Sequence, residues 1–191
     1  MDDYIKKLID KLEHVETTCP GQQTPLPYEE GIQALLDVFT DIKRQDKRVY
    51  FVGNGGSAAI ASHMTADFMK NGGMRTCSLY DSSVLTCLGN DLGYENVFSK
   101  QLGMLADAGD LLVAISSSGK SPNILNAIKA AKERKAQVVT FTGFGPDNPA
   151  RASGDWNVYV PCDGYGIVES IHNLMLQQIV DLILERDGAG A

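Results

Sequence analysis

The chain has 191 residues, of which 43% are hydrophobic and 21% are charged, and this is typical of one globular domain with a sizeable core. Its formal net charge of -7 argues against broad non-specific affinity for nucleic acid or anionic lipid, since both favour a basic surface. We therefore expect neither nucleic acid nor a membrane among its partners.

Targeting signals are not evident, because no apolar run reaches the roughly 20 residues of a membrane helix. The charged start MDDYIKKLIDKLEHVE is also unlike a signal peptide. We expect a cytoplasmic location. The four cysteines have no CxxC spacing, so the sequence predicts neither a zinc ribbon nor a disulfide framework; they are Cys19, Cys77, Cys87 and Cys162.

The first part of the chain, residues 1–46, is predicted to form two amphipathic helices joined by a loop. Apolar residues recur at helical spacing on either side of the segment TTCPGQQTPLP. The first set is Ile5, Leu8, Ile9, Leu12 and Val15, and the second is Ile32, Leu35, Leu36, Phe39 and Ile42.

From residue 47 the pattern changes to short β-rich runs, separated mostly by stretches of helical character. The runs are RVYFVG, RTCSLY, DLLVAIS, QVVTFTG and WNVYVPC. Such alternation predicts an α/β fold with a parallel sheet covered by helices. A long apolar stripe over residues 166–186 predicts a final helix. We expect a single domain, with its core over 47–186 and a frayed tail at 187–191.

Two loops carry the residues of greatest chemical interest. The first, Gly53-Asn54-Gly55-Gly56-Ser57, follows the strand RVYFV and precedes a helix. A glycine-rich turn of this kind exposes backbone N–H groups at a helix N-terminus, where they suit an anion. The second, Ser116-Ser117-Ser118-Gly119-Lys120-Ser121, follows DLLVAI and precedes a helix beginning near Pro122. Because ligands bind beyond the carboxyl ends of parallel strands, both loops are expected to face one pocket.

Two alternatives remain for these loops, and a third is excluded. Each could be a tight turn with a capping serine. The first also fits the loose dinucleotide pattern G-x-G-x-x-A through Gly53, Gly55 and Ala58, with Asp81 as a ribose-binding acid. That interpretation is weakened because Asp81 lies 28 residues after Gly53 instead of about 20. A P-loop is excluded because Ala114 stands where that motif needs its first glycine.

The strings GNGGS, CLGND and AISSSGKSPN resemble those of the sugar isomerase (SIS) superfamily, and within it the phosphoheptose isomerases. The resemblance runs from about residue 28 to 185. It implies a three-layer αβα sandwich with a central parallel sheet, and a sugar phosphate held by the two loops. The residues implied to bind substrate are Asn54, Gly55, Gly56, Ser57, Ser116, Ser117, Ser118, Ser121 and Asp91.

The same resemblance implies metal and acid–base residues on two helices. His63 matches the family's histidine, and Asp67 stands where the family has a catalytic glutamate. Glu169 stands where the family has a metal-binding glutamine, and Gln177 replaces the catalytic histidine. The implied metal ligands are thus His63, Asp67, Glu169 and Gln177, with zinc as the ion. The implied catalytic residues are Asp67, Gln177 and Asp91.

Gln177 leaves the function open, because glutamine cannot relay a proton near neutral pH as histidine can. The favoured hypothesis is an aldose–ketose isomerase that converts sedoheptulose 7-phosphate to D-glycero-D-manno-heptose 7-phosphate. The alternative is a non-catalytic SIS module that binds a phosphosugar or a protein. His172 could in principle supply the missing base, but a buried or interface histidine is favoured. The resemblance also implies a homo-oligomer, with a tetramer favoured and pockets at subunit interfaces.

Overall fold

The computed structural model describes residues 2–22 and 24–188. The strands, in chain order, are β1 (Glu16–Thr18), β2 (Arg48–Val52), β3 (Arg75–Cys77), β4 (Leu111–Ser116), β5 (Gln137–Thr142) and β6 (Trp156–Tyr159). The helices are α1 (Asp2–Glu13), α2 (Tyr28–Arg44), α3 (Gly56–Lys70), α4 (Ser82–Leu92), α5 (Ser99–Leu105), α6 (Pro122–Glu133), α7 (Pro149–Ser153) and α8 (Tyr165–Arg186), with a short 3-10 helix at Tyr94–Asn96. Of the predicted tail at 187–191, residues 189–191 lie outside the described residues.

The strands form one six-stranded sheet in the order β1-β6-β5-β4-β2-β3. The five strands predicted from the sequence are all present and run parallel, with β4 in the centre between β5 and β2. β2 and β4 are direct neighbours, so the loops that follow them begin side by side. The α/β fold class is therefore confirmed, and the two candidate loops share one edge of the sheet.

The sheet is not wholly parallel, because β1 pairs with β6 in the antiparallel direction, with Glu16 opposite Tyr159. From its sequence this segment was expected to be part of the loop between the first two helices. A three-residue strand is too short to show an alternating pattern. Its position depends on pairing with a strand about 140 residues away, which no local signal encodes.

Helices cover both faces of the sheet, as the alternation of side chains in the strands requires. Val49 and Phe51 in β2 point toward α2, α3 and α8. Tyr50 and Val52 point to the other face, where α5 and α6 pack. Burying a side chain of this size contributes roughly 1.5 to 3 kcal/mol. The three-layer αβα arrangement is confirmed.

α8 packs in the core against α2 and α3, with buried residues that include Ile171, Met175 and Ile179. By length and a mean hydropathy of 1.2 it could cross a membrane, but half of its apolar window is buried in the protein. Core packing explains its composition. The predicted final helix is confirmed, whereas α1 leaves Tyr4, Ile5 and Ile9 about half exposed.

Candidate phosphosugar site

A cavity of about 400 Å³ lies between the loops that follow β2 and β4; we call it the loop cavity. Tyr165 and Glu169 at the start of α8 close one side of it. Its other lining residues are Asn54, Gly55, Gly56, Ser57, Ile115, Ser116, Ser117, Ser118 and Ser121. The structure thus brings together every residue of the two loops that was expected to contact the substrate.

The helices that begin at the loop cavity have N-termini without side-chain caps. Gly55, which has no side chain to act as a cap, precedes α3, and the Ser121 side chain before α6 accepts no hydrogen bond from the first turn. By contrast, the Asp81 carboxylate accepts the Val84 N–H at the start of α4. The first N–H groups of a helix need partners, and their dipoles favour an anion. The two uncapped ends therefore suit a phosphate.

This finding also decides between the alternatives for the loops. Ser121 is not a capping serine, so the simple-turn interpretation does not hold for the second loop. Asp81 is occupied as the N-cap of α4 and is not among the cavity-lining residues. The position of Asp81 argues against a dinucleotide site, and the two observations together favour one compact ligand between the loops.

Ser117 is the residue of the loop cavity whose side chain most clearly suits a polar ligand. Its residue is only 4% exposed, and its hydroxyl finds no hydrogen-bond partner among the described residues. A buried hydroxyl without a partner costs about 1 to 3 kcal/mol. Since Ser117 lines the cavity, a ligand oxygen placed there would satisfy this hydroxyl.

The second loop has its shape because Gly119 takes a positive φ of 63°. Its N–H donates to the Ser116 carbonyl at 2.9 Å, which closes the turn. A Cβ on Gly119 would lie 1.8 Å from Oδ1 of Asn148, a side chain held by its own hydrogen bonds. Only glycine fits this position without moving Asn148.

The first loop is held at its start by Tyr80. The hydroxyl of Tyr80 accepts the Gly53 N–H at 2.7 Å and donates to the Gly53 carbonyl at 2.8 Å. Burial raises the pKa of the Tyr80 phenol well above its ordinary value, so the hydroxyl keeps the proton that it donates at neutral pH. Tyr80 therefore fixes the point at which the chain leaves β2.

Glu169 lies at the loop cavity and not beside His63 and Asp67. A Cβ added to Gly56 would lie 2.3 Å from Oε2 of Glu169, so the carboxylate occupies the space above the start of α3. The structure gives no contact between Glu169 and His63, Asp67 or Gln177, and its predicted part in a metal site stays a prediction. On α8, Glu169 precedes Gln177 by eight residues, or about 12 Å along the helix.

His63, Asp67 and Gln177 form a separate cluster where α8 crosses α3, which we call the α3–α8 cluster. The Gln177 amide nitrogen lies 2.9 Å from Nε2 of His63 and donates to Oδ2 of Asp67 at 2.8 Å. Nε2 of His63 is 3.2 Å from the same carboxylate oxygen. The crossing of the two helices thus brings together three of the four side chains that were expected to bind the metal.

The side chains of the α3–α8 cluster that could bind a divalent ion are His63, Asp67 and Gln177. Within residues 2–22 and 24–188, no three His, Cys, Asp or Glu side chains are grouped to hold a metal. His63 and Asp67 would supply a nitrogen and a carboxylate oxygen, and the Gln177 amide would have to turn to present its oxygen. Three protein ligands with an open fourth position are typical of catalytic zinc.

Asp91 does not reach the loop cavity. It lies exposed on α4, where Oδ1 accepts the Asn90 side-chain N–H at 2.8 Å and Oδ2 lies 3.6 Å from the Cys87 sulfur. The structure gives no contact between Asp91 and the two loops, and its predicted contact with a sugar stays a prediction.

His172 is fully buried, with Nε2 3.1 Å from the Thr142 carbonyl and the ring edge-on to Phe141. Burial lowers the pKa of His172 to about 4. The prediction of a buried histidine is confirmed, and His172 contributes to the core instead of supplying a base.

Sequence reasoning missed Tyr165 and Asn123. Tyr165 lines the loop cavity from the first residue of α8. Asn123 lies behind the second loop, where its side chain bonds to Asn54. An asparagine directly after the Ser121-Pro122 start of a helix was the available signal, but the sequence does not show what it would contact.

The αβα fold and the loop cavity define a SIS domain, and the family model described as SIS domain matches residues 3–143. The chain belongs to this family. A phosphoheptose isomerase from Sulfurimonas denitrificans is 34% identical over 189 residues, covering 96% of this chain and 95% of that protein. Within the SIS family the chain therefore belongs to the phosphoheptose isomerases.

Solved structures agree with this assignment. A phosphoheptose isomerase from Neisseria gonorrhoeae superposes with a TM-score of 0.76 at 35% identity, over 82% of this chain and 86% of that one. A phosphoheptose isomerase from Francisella tularensis has a TM-score of 0.82 at 24% identity, over 96% of each chain. The second comparison supports the fold alone, and the first also supports the family.

Proposed function

We propose that this protein is an aldose–ketose isomerase that converts sedoheptulose 7-phosphate to D-glycero-D-manno-heptose 7-phosphate. The family assignment supports the reaction class. The observation that carries phosphate binding is the buried, unpartnered hydroxyl of Ser117 between two uncapped helix N-termini. These groups can hold a phosphate by local geometry in a chain whose net charge is -7.

The reaction moves one carbon-bound proton. A base removes a proton from C1 of the ketose while the C2 carbonyl oxygen takes up a proton, and an enediol forms. Return of a proton to C2 and loss of the O1 hydroxyl proton then give the aldehyde. The chemistry needs a base within hydrogen-bond reach and donors that stabilise the enediolate oxygens.

Asp67 is the proposed base, as part of the α3–α8 cluster. Its carboxylate is about one-fifth exposed, so substrate can reach it. The Gln177 N–H that donates to Oδ2 holds the carboxylate in place. His63, with Nε2 accepting the Gln177 N–H, would keep its proton on Nδ1. In this arrangement Gln177 orients the other two side chains and transfers no proton.

A divalent ion, with zinc proposed, would be held by His63, Asp67 and the amide oxygen of Gln177, and would replace the hydrogen bonds that the Gln177 N–H groups make to the other two side chains. Such an ion polarises a carbonyl oxygen and stabilises developing negative charge. Glu169 is not part of this proposed ligand set, because its carboxylate lies against Gly56.

The α3–α8 cluster and the loop cavity of one chain share no residue. Asp67 follows Ser57 by ten positions in α3, which corresponds to about 15 Å along the helix. We therefore propose a homo-oligomer, with a tetramer favoured, in which the cluster of one chain completes the cavity of another. The half-exposed apolar residues Tyr4, Ile5 and Ile9 of α1 support such packing.

We also propose a cytoplasmic location. It is supported by the packing of α8, a helix long and apolar enough to cross a membrane, in the core of the protein.

The test is turnover of sedoheptulose 7-phosphate by purified protein, with and without added zinc, together with the bound-metal content. Asp67→Asn keeps the shape of the side chain and removes the base, so we expect turnover to fall by at least about 100-fold. Asp41→Asn, at an exposed position on α2, is the matched control and should keep full turnover.

Three outcomes discriminate between the functions. Metal-dependent turnover that Asp67→Asn abolishes supports the isomerase with the proposed zinc. Turnover that is independent of metal and lost in the variant supports the isomerase without the ion. Tight binding of the sugar phosphate without turnover would refute the isomerase and favour a non-catalytic SIS module, which the replacement of histidine by Gln177 would then explain.

A further inference from the structure

Two asparagine side chains join the loops of the cavity. The Asn54 Nδ2–H donates to Oδ1 of Asn123 at 2.9 Å, and the Asn123 Nδ2–H donates to Oδ1 of Asn54 at 2.8 Å. Asn54 lies in the loop after β2, and Asn123 is the second residue of α6, after the loop that follows β4. The pair is thus a direct side-chain link between the two halves of the proposed ligand site.

The hydrogen-bond capacity of Asn54 is almost fully used within the protein. Its carbonyl oxygen accepts one N–H from Asn123 and also the hydroxyl proton of Tyr94 at 3.0 Å. An amide oxygen has two lone pairs, and an amide nitrogen has two hydrogens. With one N–H donated to Asn123, the side chain keeps one N–H that has no bond among the described residues.

This count determines what Asn54 can offer to a ligand. Asn54 lines the loop cavity, and its oxygen already has two donors. The free N–H can only meet an acceptor, such as a phosphoryl, carbonyl or hydroxyl oxygen of the ligand. Without the bonds from Asn123 and Tyr94, the amide could turn and present its oxygen, which repels a phosphoryl oxygen.

We propose that Asn123 is a positioning residue, which orients the Asn54 amide so that its free N–H faces an acceptor oxygen of the bound phosphosugar. The inference rests on the proposed function, because it assigns the ligand of the same cavity. Asn123 is only 2% exposed and is not among the cavity-lining residues, so it acts through Asn54. Because Asn123 is buried, water does not compete for its hydrogen bonds to Asn54.

The test is a double-mutant cycle on the affinity for sedoheptulose 7-phosphate, measured by calorimetry with wild type, Asn123→Ala, Asn54→Ala and the double variant. We expect Asn123→Ala to weaken binding about tenfold in the wild-type background, in line with the loss of one good hydrogen bond. In the Asn54→Ala background the same change should have no further effect. An equal loss in both backgrounds, or no loss in the wild-type background, would overturn the proposal.

Asn126→Ala is the matched control. Asn126 lies one turn further along α6, and its side chain donates to the Glu95 carbonyl at 2.9 Å, outside the loop cavity. It should lower stability without changing the affinity. If Asn123→Ala does not fold, Asn123→Asp keeps the shape of the side chain and removes only its N–H donors. This second variant is also expected to weaken binding, since it places an oxygen against Oδ1 of Asn54.

A ligand-free measurement separates this proposal from the proposed function. The two Nδ2 protons of Asn54 should show distinct NMR resonances, of which one exchanges slowly with solvent because it is bonded to Asn123. In Asn123→Ala the two protons should exchange with solvent at similar rates, whereas in Asn126→Ala their rates should stay different. If wild type neither binds nor turns over the sugar phosphate, the proposed function fails, but the resonances still test whether Asn123 orients the Asn54 amide. Unchanged Asn54 resonances in Asn123→Ala would refute this positioning role.

Discussion

Gly119→Ala should destabilise the protein strongly, because two independent physical effects act at one position. Gly119 has a φ of 63°, and a non-glycine residue in the left-handed region costs roughly 1 to 2 kcal/mol. The new Cβ would also lie 1.8 Å from Oδ1 of Asn148, so that side chain must move. The loop cannot accept the methyl group and keep its present shape.

The second effect can be worked out from the contacts of Asn148. Its side chain accepts the Arg151 N–H at 2.9 Å and donates to the Gly145 and Gly143 carbonyls at 2.9 and 3.3 Å. Losing these three hydrogen bonds at about 1 kcal/mol each gives about 3 kcal/mol. With the backbone term, the expected loss in the free energy of unfolding is roughly 4 to 5 kcal/mol.

Denaturation in urea measures this loss, and Gly103→Ala is the matched control. Gly103 lies within α5, has no positive φ and no atom within 4 Å of an added Cβ. Its replacement should stabilise the helix by up to about 1 kcal/mol. If the free energy of unfolding of Gly119→Ala lies within about 0.5 kcal/mol of the wild-type value, Gly119 is not required for the shape of this loop. Combining Gly119→Ala with Asn148→Ala should cost less than the sum of the two changes.

Three further changes test other parts of the structure. Because burial lowers the pKa of His172 from 6.5 to about 4, its contribution to stability is complete above pH 6.5. That contribution declines as the pH falls toward 4, by up to about 3 kcal/mol; His172→Leu should flatten this decline in thermal denaturation. Tyr80→Phe leaves the Gly53 N–H and carbonyl unpaired and should cost about 2 kcal/mol of stability. Gly56→Ala should push the Glu169 carboxylate into the loop cavity and weaken phosphate binding in calorimetry, whereas Gly103→Ala, at a position with open space and no positive φ, should leave binding unchanged.

The two ligand loops were predictable from the sequence because their signals are local. A glycine-rich turn or a serine run after a β-rich segment indicates a strand-to-helix connection, and parallel strands bring such connections to one edge. Asn54 and Ser117 could therefore be named in advance as cavity residues. The partner of Asn54 could not, because Asn123 is 69 positions away and no periodicity links the two.

The residues on α8 show the limit of this reasoning most clearly. The resemblance placed Glu169 and Gln177 on one helix near α3, and both are there. The two residues are eight positions apart, so Gln177 contacts His63 and Asp67, whereas Glu169 lies at the start of α3 beside Gly56. Which of them joins the cluster depends on where α8 crosses α3.

The sequence by itself determined the order of the five parallel strands, the α/β class and the two loops, because each depends on residues close together in the chain. Only the tertiary structure decided that β1 completes the sheet, that Asn123 links the loops and that Asp91 lies away from the cavity. These features depend on packing between distant segments, which adds contacts of about 1 kcal/mol each without leaving a local pattern.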